Sequence, residues 1–306
     1  MKLSIVATLY QSAPYIEEFY QRVSTAACQL TDDYEIVLVN DGSPDDSLSR
    51  SVALTARDEH VVVVDLSRNF GHHKAMMAGL AHARGERVFL LDSDLEEEPE
   101  WLLPFTEKLE SEKCDVIYGV QSSRKGGLFE RWTGVWYYIF YRALTGLKVP
   151  YNITTARLMS RRYVNALLSF EEREIDIGGL WFITGFDQQS HTVKKHNTSE
   201  TTYTLRRKVA IIVNAVTSFS NLPLIGIFYV GATIFLVSCL GTVYLVLHWV
   251  IDAQPMSGWT SVMVSIWLLG GLILSAVGVV GIYLAKVFSE AKRRPNAIVR
   301  ELFGKR

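Results

Sequence analysis

Cysteine is scarce: Cys28, Cys114 and Cys239 stand in separate segments, with no CxxC pair and no metal-ligand spacing. That argues against a disulfide framework or a thiolate zinc site and leaves reduced thiols packed as small hydrophobes. No GxxxxGK[ST] or GxGxxG run occurs, which disfavours a P-loop kinase and a Rossmann dehydrogenase. Met1 to Tyr10 is too short, and too soon followed by Glu17 and Glu18, to read as a signal peptide. The most informative absence is of charge. No Asp, Glu, Lys or Arg lies between Val209 and Ile251, or between Ala253 and Ala285. Each gap exceeds the roughly 20 residues that cross a bilayer as a helix.

The formal net charge of −1 hides two opposed parts. Met1–Tyr203 holds 21 Lys and Arg against 29 Asp and Glu, whereas the remainder holds 10 against 3. The expected organisation is a cytosolic domain over 1–203, an amphipathic interfacial helix over 204–223, two transmembrane helices within 224–288 and a basic cytoplasmic tail over 289–306. The link "DAQPMSGW" carries no Lys or Arg, while Arg206, Arg207 and Lys208 precede the first span and Lys286, Lys292, Arg293 and Arg294 follow the second. The positive-inside rule then places both ends in the cytoplasm. Gly271, Ser275 and Gly278 put small residues along the second span, which suits close helix packing within the hairpin or between subunits.

The first part reads as α/β. "LSIVATLY" (3–10), "YEIVLVND" (34–41), "VVVVDLS" (61–67) and "RVFLLDSD" (87–94) are short, β-branched apolar runs that end in polar residues. Stretches of helical length, Tyr15–Leu30 and Asp46–Arg57 among them, lie between. Near-continuous apolar strands alternating with helices predict a mostly parallel sheet covered on both faces, with ligands beyond the carboxyl ends of its strands.

Acidic residues gather at those ends. Asp41 closes the second run, and "FLLDSDLEEEPEW" (89–101) sets six acidic residues against the fourth. Asp92, Asp94 and Glu96 alternate, so an extended segment turns them to one side. Like charges this close call for a cation, and hard oxygen ligands select Mg²⁺ or Mn²⁺. Glu97, Glu98 and Glu100 read instead as a solvated helix start. With no glycine-rich phosphate loop, a diphosphate held through a metal on a D-x-D is the remaining common solution, the metal neutralising the leaving group.

"VNDGS" (39–43), "LSRNFGHHKAMMAGL" (66–80), "LDSDLEEEPE" (91–100), the basic-aromatic stretch after "YGVQSSR" (118–124) and the uncharged C-terminal pair together resemble the polyisoprenyl-phosphate glycosyltransferases of glycosyltransferase family 2, which include dolichol-phosphate mannose synthase and the bactoprenol glucosyltransferases. The resemblance covers nearly the whole chain. It implies a GT-A fold, a nucleotide-sugar donor (a UDP-sugar first), Mg²⁺ or Mn²⁺, and transfer of one sugar, with inversion, to undecaprenyl or a similar polyprenyl phosphate. The product would serve a cell-envelope glycan such as O-antigen. The enzyme would be integral to a bacterial inner membrane, with no nucleic-acid partner, and a homo-oligomer and a separate flippase are the further partners implied.

Carried over by position, Asp41 would contact the nucleotide, Arg68 and Asn69 would line the donor site with His72 and Lys74 as lesser candidates, and Asp92, Asp94 and Glu96 would surround the metal. Arg124 and Arg131 would hold the acceptor phosphate, for which a guanidinium fork is suited. Three departures stand out: Glu96 replaces a usual Gln, Tyr10-Gln11-Ser12 replaces "YNE", and Asn152 or Thr155 stands where relatives carry Asp. A basic-Ser-Lys-Tyr pattern appears as "KKHNTSETTYTL" (194–205), without the Lys before Tyr203.

Two segments suit the membrane surface. "LFERWTGVWYYIFYRALTGLKV" (128–149) interleaves Trp and Tyr with Arg131, Arg142 and Lys148, and "LRRKVAIIVNAVTSFSNLP" (205–223) lies before the first span. Two other readings compete. A processive polysaccharide synthase would need more spans and a QxxRW motif, neither of which occurs. A non-catalytic scaffold or flippase accessory would have no reason to keep Asp41, Asp92 and Asp94.

Overall fold

The four apolar runs become the centre of one sheet. β1 (Leu3–Leu9), β2 (Tyr34–Asn40), β3 (Val61–Leu66) and β4 (Arg87–Asp92) pair in parallel in the order β4-β1-β2-β3. The computed structural model describes residues 1–121, 150, 152–173, 176–195, 220, 222–252 and 258–305. Every residue of β1, β2 and β3 is buried, as strands covered on both faces must be. Ile5, Leu38 and Phe89 face a core closed by α1 (Ile16–Cys28), α2 (Ser47–Thr55) and α4 (Leu102–Glu112). Val6, Val39 and Leu90 face a second core, closed by α3 (His72–His82), α5 (Arg161–Leu168) and α6 (Ile177–Ile183). Gly79 lets α3 press onto the sheet: a Cβ there would lie 2.5 Å from Val6 Cγ1 and 2.8 Å from Val39 Cγ2.

Four further strands widen the sheet. β6 (Ile153–Ser160) runs antiparallel between β4 and β5 (Val116–Gln121), and β7 (Gln188–Val193) lies parallel to β5 at one edge. β1 to β5 and β7 therefore point the same way, and their carboxyl ends share one edge of the sheet.

The other edge corrects the domain reading. Within the segment expected as a basic tail, Val299–Phe303 forms β8, which pairs antiparallel with β3. The chain returns to the same sheet after its long helices, so the first domain does not end at 203. The pairing covers an edge that β3 would otherwise expose.

Those helices are α7 (Leu222–Asp252) and α8 (Trp259–Ala291). Among the described residues one stretch, Leu268–Ala291, is long and apolar enough to cross a membrane, with mean hydropathy 2.2; Leu222–Ile234 is a shorter apolar helix. Among the described side chains of these helices, Phe228, Leu236, Leu240, Leu274 and Leu284 are exposed and outside both cores, Leu274 being 74% exposed. A continuous apolar surface of this kind is suited to lipid or to another apolar partner. The interfacial helices expected over 128–149 and over most of 204–223 lie outside the described residues.

Candidate active site

The loops after β1, β2, β3 and β4 converge at the carboxyl edge, and hydrogen bonds knit them together. Asp45 accepts from Ala13 N at 3.1 Å and from Ser43 Oγ and Ser47 Oγ at 2.5 Å each, joining the first two loops. These donors outweigh the cost of its burial and hold its carboxyl down at about 2. Ser93, between the two aspartates of the D-x-D, donates to Thr8 O at 2.8 Å and ties the fourth loop to the first.

Asp41 does not face outward. Its two carboxylate oxygens accept the Phe70 and Gly71 amides at 2.7 and 3.0 Å, and the residue is 2% exposed. Gly42 beside it has φ +61°, and a Cβ there would run into the Asn69 nitrogen and lie 2.5 Å from the Arg68 carbonyl carbon. "VNDGS" thus grips the backbone of "SRNFG". Asp41 holds the neighbouring loop through its backbone, and the groups that loop displays are Arg68 and Asn69, both exposed. Arg68 folds over the Phe70 ring at 4.1 Å and donates to Asn69 O at 2.8 Å. Lys74 lies in the first turn of α3, partly exposed.

His72, the first residue of α3, keeps about half of its side chain exposed (49%) while both ring nitrogens meet neighbours. Its Nδ1 is 3.1 Å from Thr8 Oγ1, and its Nε2 is 3.3 Å from Asp92 Oδ1. The second contact has ion-pair distance but leaves that buried oxygen without a hydrogen bond. Burial works against charge on either group. The pairing prevails on both: His72 is raised by Asp92, Asp41 and Glu97, and the Asp92 carboxyl is held below its usual range by His72 and Lys195.

Two residues that the sequence did not single out complete the cluster. Glu97, read as part of a solvated helix start, is fully buried: its Oε1 accepts the Thr155 amide at 2.9 Å and its Oε2 has no partner. Burial, then the charge of Asp92, pushes its carboxyl up to about 8. Lys195, just past the end of β7, places its Nζ 3.1 Å from Glu96 Oε2 and 3.9 Å from Glu97 Oε1. Burial would lower its pKa, but Glu97, Glu96 and Asp92 raise it. Glu100, by contrast, does lie outside the cluster, in a two-pronged pair with Arg22 at 2.9 and 2.7 Å.

The expected set of three metal carboxylates is not assembled. Among the described residues no three His, Cys, Asp or Glu side chains are placed to hold a metal, because Glu96 turns to Lys195. Asp92 and Asp94 do fit a cation held in another way. Mg²⁺ commonly takes one or two carboxylates and completes its shell with phosphate oxygens and water. Asp92 offers a buried oxygen lacking a hydrogen bond. The Asp94 carboxyl is raised by burial and by the charges of Asp92 and Glu96, so an added positive charge would favour its ionised form. Arg124 and Arg131 lie outside the described residues, although β5 ends at Gln121 on this same edge. A cavity of about 230 Å³, lined by Met1, Asp33, Tyr34, His60 and Lys305 among others, opens at the opposite, amino ends of the strands, away from the loop that carries Asp92 and Asp94.

In a mostly parallel α/β sheet ligands bind beyond the carboxyl ends of the strands, the edge at which this D-x-D stands. Residues 4–168 match the family described as Glycosyl transferase family 2, and the chain belongs to that family. It is 50% identical over 304 residues to a protein of Mycobacterium tuberculosis named "Putative glycosyltransferases", covering 99% of this chain and 89% of that one. It is 30% identical over 303 residues to the bactoprenol glucosyl transferase of Shigella phage SfV, covering 98% of each. Among solved structures, S. aureus TarS 1–349 in complex with UDP-GlcNAc superposes with a TM-score of 0.47 at 17% identity, covering 71% of this chain and 66% of that one.

Proposed function

We propose that this glycosyltransferase moves one sugar from a nucleotide-sugar, a UDP-sugar first, to undecaprenyl or a similar polyprenyl phosphate at the cytoplasmic face of a bacterial membrane. The observation that carries the reading is the end-to-end similarity to a bactoprenol glucosyl transferase, apolar helices included. The return of β8 to the sheet supports a two-helix hairpin. A chain that leaves the domain through α7 and rejoins it at β8 must cross any membrane an even number of times, so a crossing by α8 requires one by α7.

The acceptor phosphate is anionic at neutral pH, so one of its oxygens attacks the anomeric carbon without a general base. The new C–O bond forms on the face opposite the diphosphate, the old one breaks, and the nucleoside diphosphate leaves with the electron pair, inverting the centre. Asp92 and Asp94 would hold Mg²⁺ or Mn²⁺, which when bound neutralises the departing diphosphate. Arg68, Asn69 and Lys74 would orient the donor on a loop that Asp41 holds. Lys195, poised beside Glu96, would add positive charge next to the diphosphate. Arg124 and Arg131 would position the acceptor, so that rate comes from alignment and charge stabilisation.

The test supplies purified protein in detergent with undecaprenyl phosphate, Mg²⁺ or Mn²⁺ and labelled UDP-, GDP- and dTDP-sugars, and counts the organic phase with and without EDTA. A metal-dependent, mild-acid-labile lipid product, absent in Asp94→Ala, is the expected result. No product from any donor in a folded protein would overturn the reading.

A further inference from the structure

The last strand of the chain is more than 200 residues from the donor-site loops in sequence, yet it is bonded to what holds two of them. Arg300 in β8 donates from Nε to Asp65 Oδ2 at 2.7 Å and from Nη2 to Asp65 Oδ1 at 3.2 Å. Asp65 Oδ1 also accepts Asn40 Nδ2 at 2.8 Å, and Asn40 Oδ1 in turn accepts the Ser43 amide at 3.3 Å. Asp65 and Asn40 are 2% and 1% exposed. Beside this chain of contacts, Ile298 O accepts the Ser67 amide at 2.9 Å, one residue before Arg68. The turn at 41–43 and the loop at 67–71 are thus both reached from the segment that follows α8. The last turn of α8 and that segment are also tied to the loop after α5: Arg173 N donates to Glu290 Oε1 at 2.7 Å, and Asn296 Nδ2 donates to Glu172 O at 3.0 Å.

Covering an exposed strand edge would account for backbone pairing alone. It does not account for a buried carboxylate at the end of β3 whose cationic partner comes from the chain's far end. A buried charge is costly unless paired and hydrogen-bonded, so the Asp65–Asn40 link depends on Arg300. The two loops it supports grip each other through Asp41 and Gly42, and a disturbance of one is passed to the other.

We propose that Arg300 is a positioning residue for the donor site. Through Asp65 and Asn40, with Ile298 alongside, the segment that returns from α8 sets the placement of Asp41–Ser43 and Arg68–Gly71, and donor binding is strong only while β8 is docked. The proposal rests on the reading of this edge as the donor site.

The test uses the full chain in detergent, as wild type, Arg300→Ala and Arg300→Lys. Hydrogen exchange of amides 41–43 and 67–71 without ligand reads the placement of the loops. Calorimetry with UDP, GDP and dTDP reads nucleotide affinity, and the lipid-product assay separates donor KM from kcat. Arg300→Ala is expected to speed exchange in both loops, to weaken nucleotide binding and raise donor KM by roughly 3- to 30-fold, and to leave kcat within about twofold, the signature of lost binding rather than lost chemistry. Arg300→Lys keeps the charge Asp65 needs but not the fork, so it should melt near wild type with an intermediate loss of affinity.

Unchanged exchange in the two loops, or a fall in melting temperature with nucleotide affinity intact, would overturn the proposal. Should wild-type protein bind none of the three nucleotides, the donor reading fails, and exchange alone then decides whether Arg300 holds the loops.

Discussion

Glu97 and Thr155 join β4's acidic loop to β6: the Thr155 amide donates to Glu97 Oε1 at 2.9 Å, in a place where the second carboxylate oxygen of Glu97 meets no donor. A carboxyl so placed prefers its proton. The charges of Asp92 and Asp94 act on it as well, which makes it a source of pH dependence within the acidic cluster.

The first prediction concerns that proton. Glu97 has its folded pKa raised from 4.5 to about 8, so its contribution to stability is fully present below the unfolded value and is lost as pH rises through the folded one. Melting temperature in EDTA should fall between about pH 5 and 8, and Glu97→Gln should flatten that fall while raising stability at pH 8. Thermal melts across pH 5–9 check it; a variant whose profile parallels wild type would sink the assignment.

Asp92 and Asp94 should separate on substitution. Asp94→Asn leaves the His72 contact in place and is expected to keep wild-type stability while losing about 100- to 1000-fold in kcat, the usual scale for a charge-stabilising group. Asp92→Asn removes the partner of His72 and should lose activity and melting temperature together. Kinetics and melts on both variants distinguish the two.

Gly42→Ala should act at a distance of one loop. At φ +61° a side chain is strained, and its Cβ would strike the Arg68–Asn69 backbone. A loss of about 1–3 kcal/mol is expected from the strained conformation alone. Nucleotide affinity should fall with it, measured by denaturation and calorimetry on the same samples.

Arg157 is fully buried, with its guanidinium carbon 2.9 Å from the Trp181 ring centroid and its Nε and Nη2 donating to Thr155 O and Thr154 O. Arg157→Ala removes a large side chain from beneath the Thr155 strand and should cost about 3–5 kcal/mol, read as a lowered urea midpoint. A cost below about 1 kcal/mol would mean that the site collapses around the loss.

Much of the fold was legible because its signals are local. β1 to β4 announce themselves as near-continuous apolar runs, and the described strands begin where those runs do and end within two residues of them. β5 to β7 were missed because they alternate or carry polar residues: "QQSHTV" in β7 has neither apolar period nor strong β-branching. β8 was missed because "VRELF" among basic residues reads as a tail.

The site divides in the same way. Asp92 and Asp94 followed from a strand end and a spacing. Glu97 and Lys195 did not, since an acidic residue after a D-x-D is usually solvated and nothing in "VKKHN" names its partner. The one available hint was the count of six acids in thirteen residues with no neighbouring cation, which required a positive charge from elsewhere in the chain.

The sequence by itself determined the parallel centre of the sheet, the acidic motif at its carboxyl edge and the two uncharged C-terminal runs, because hydrophobic period and charge distribution act over a few residues. Only the tertiary structure decided that Glu97 is buried, that Asp41 holds a loop, that Lys195 answers Glu96 and that Arg300 closes on Asp65. Each of these depends on groups far apart in the chain, and burying a charge is set by the partner the fold brings to it rather than by its neighbours in sequence.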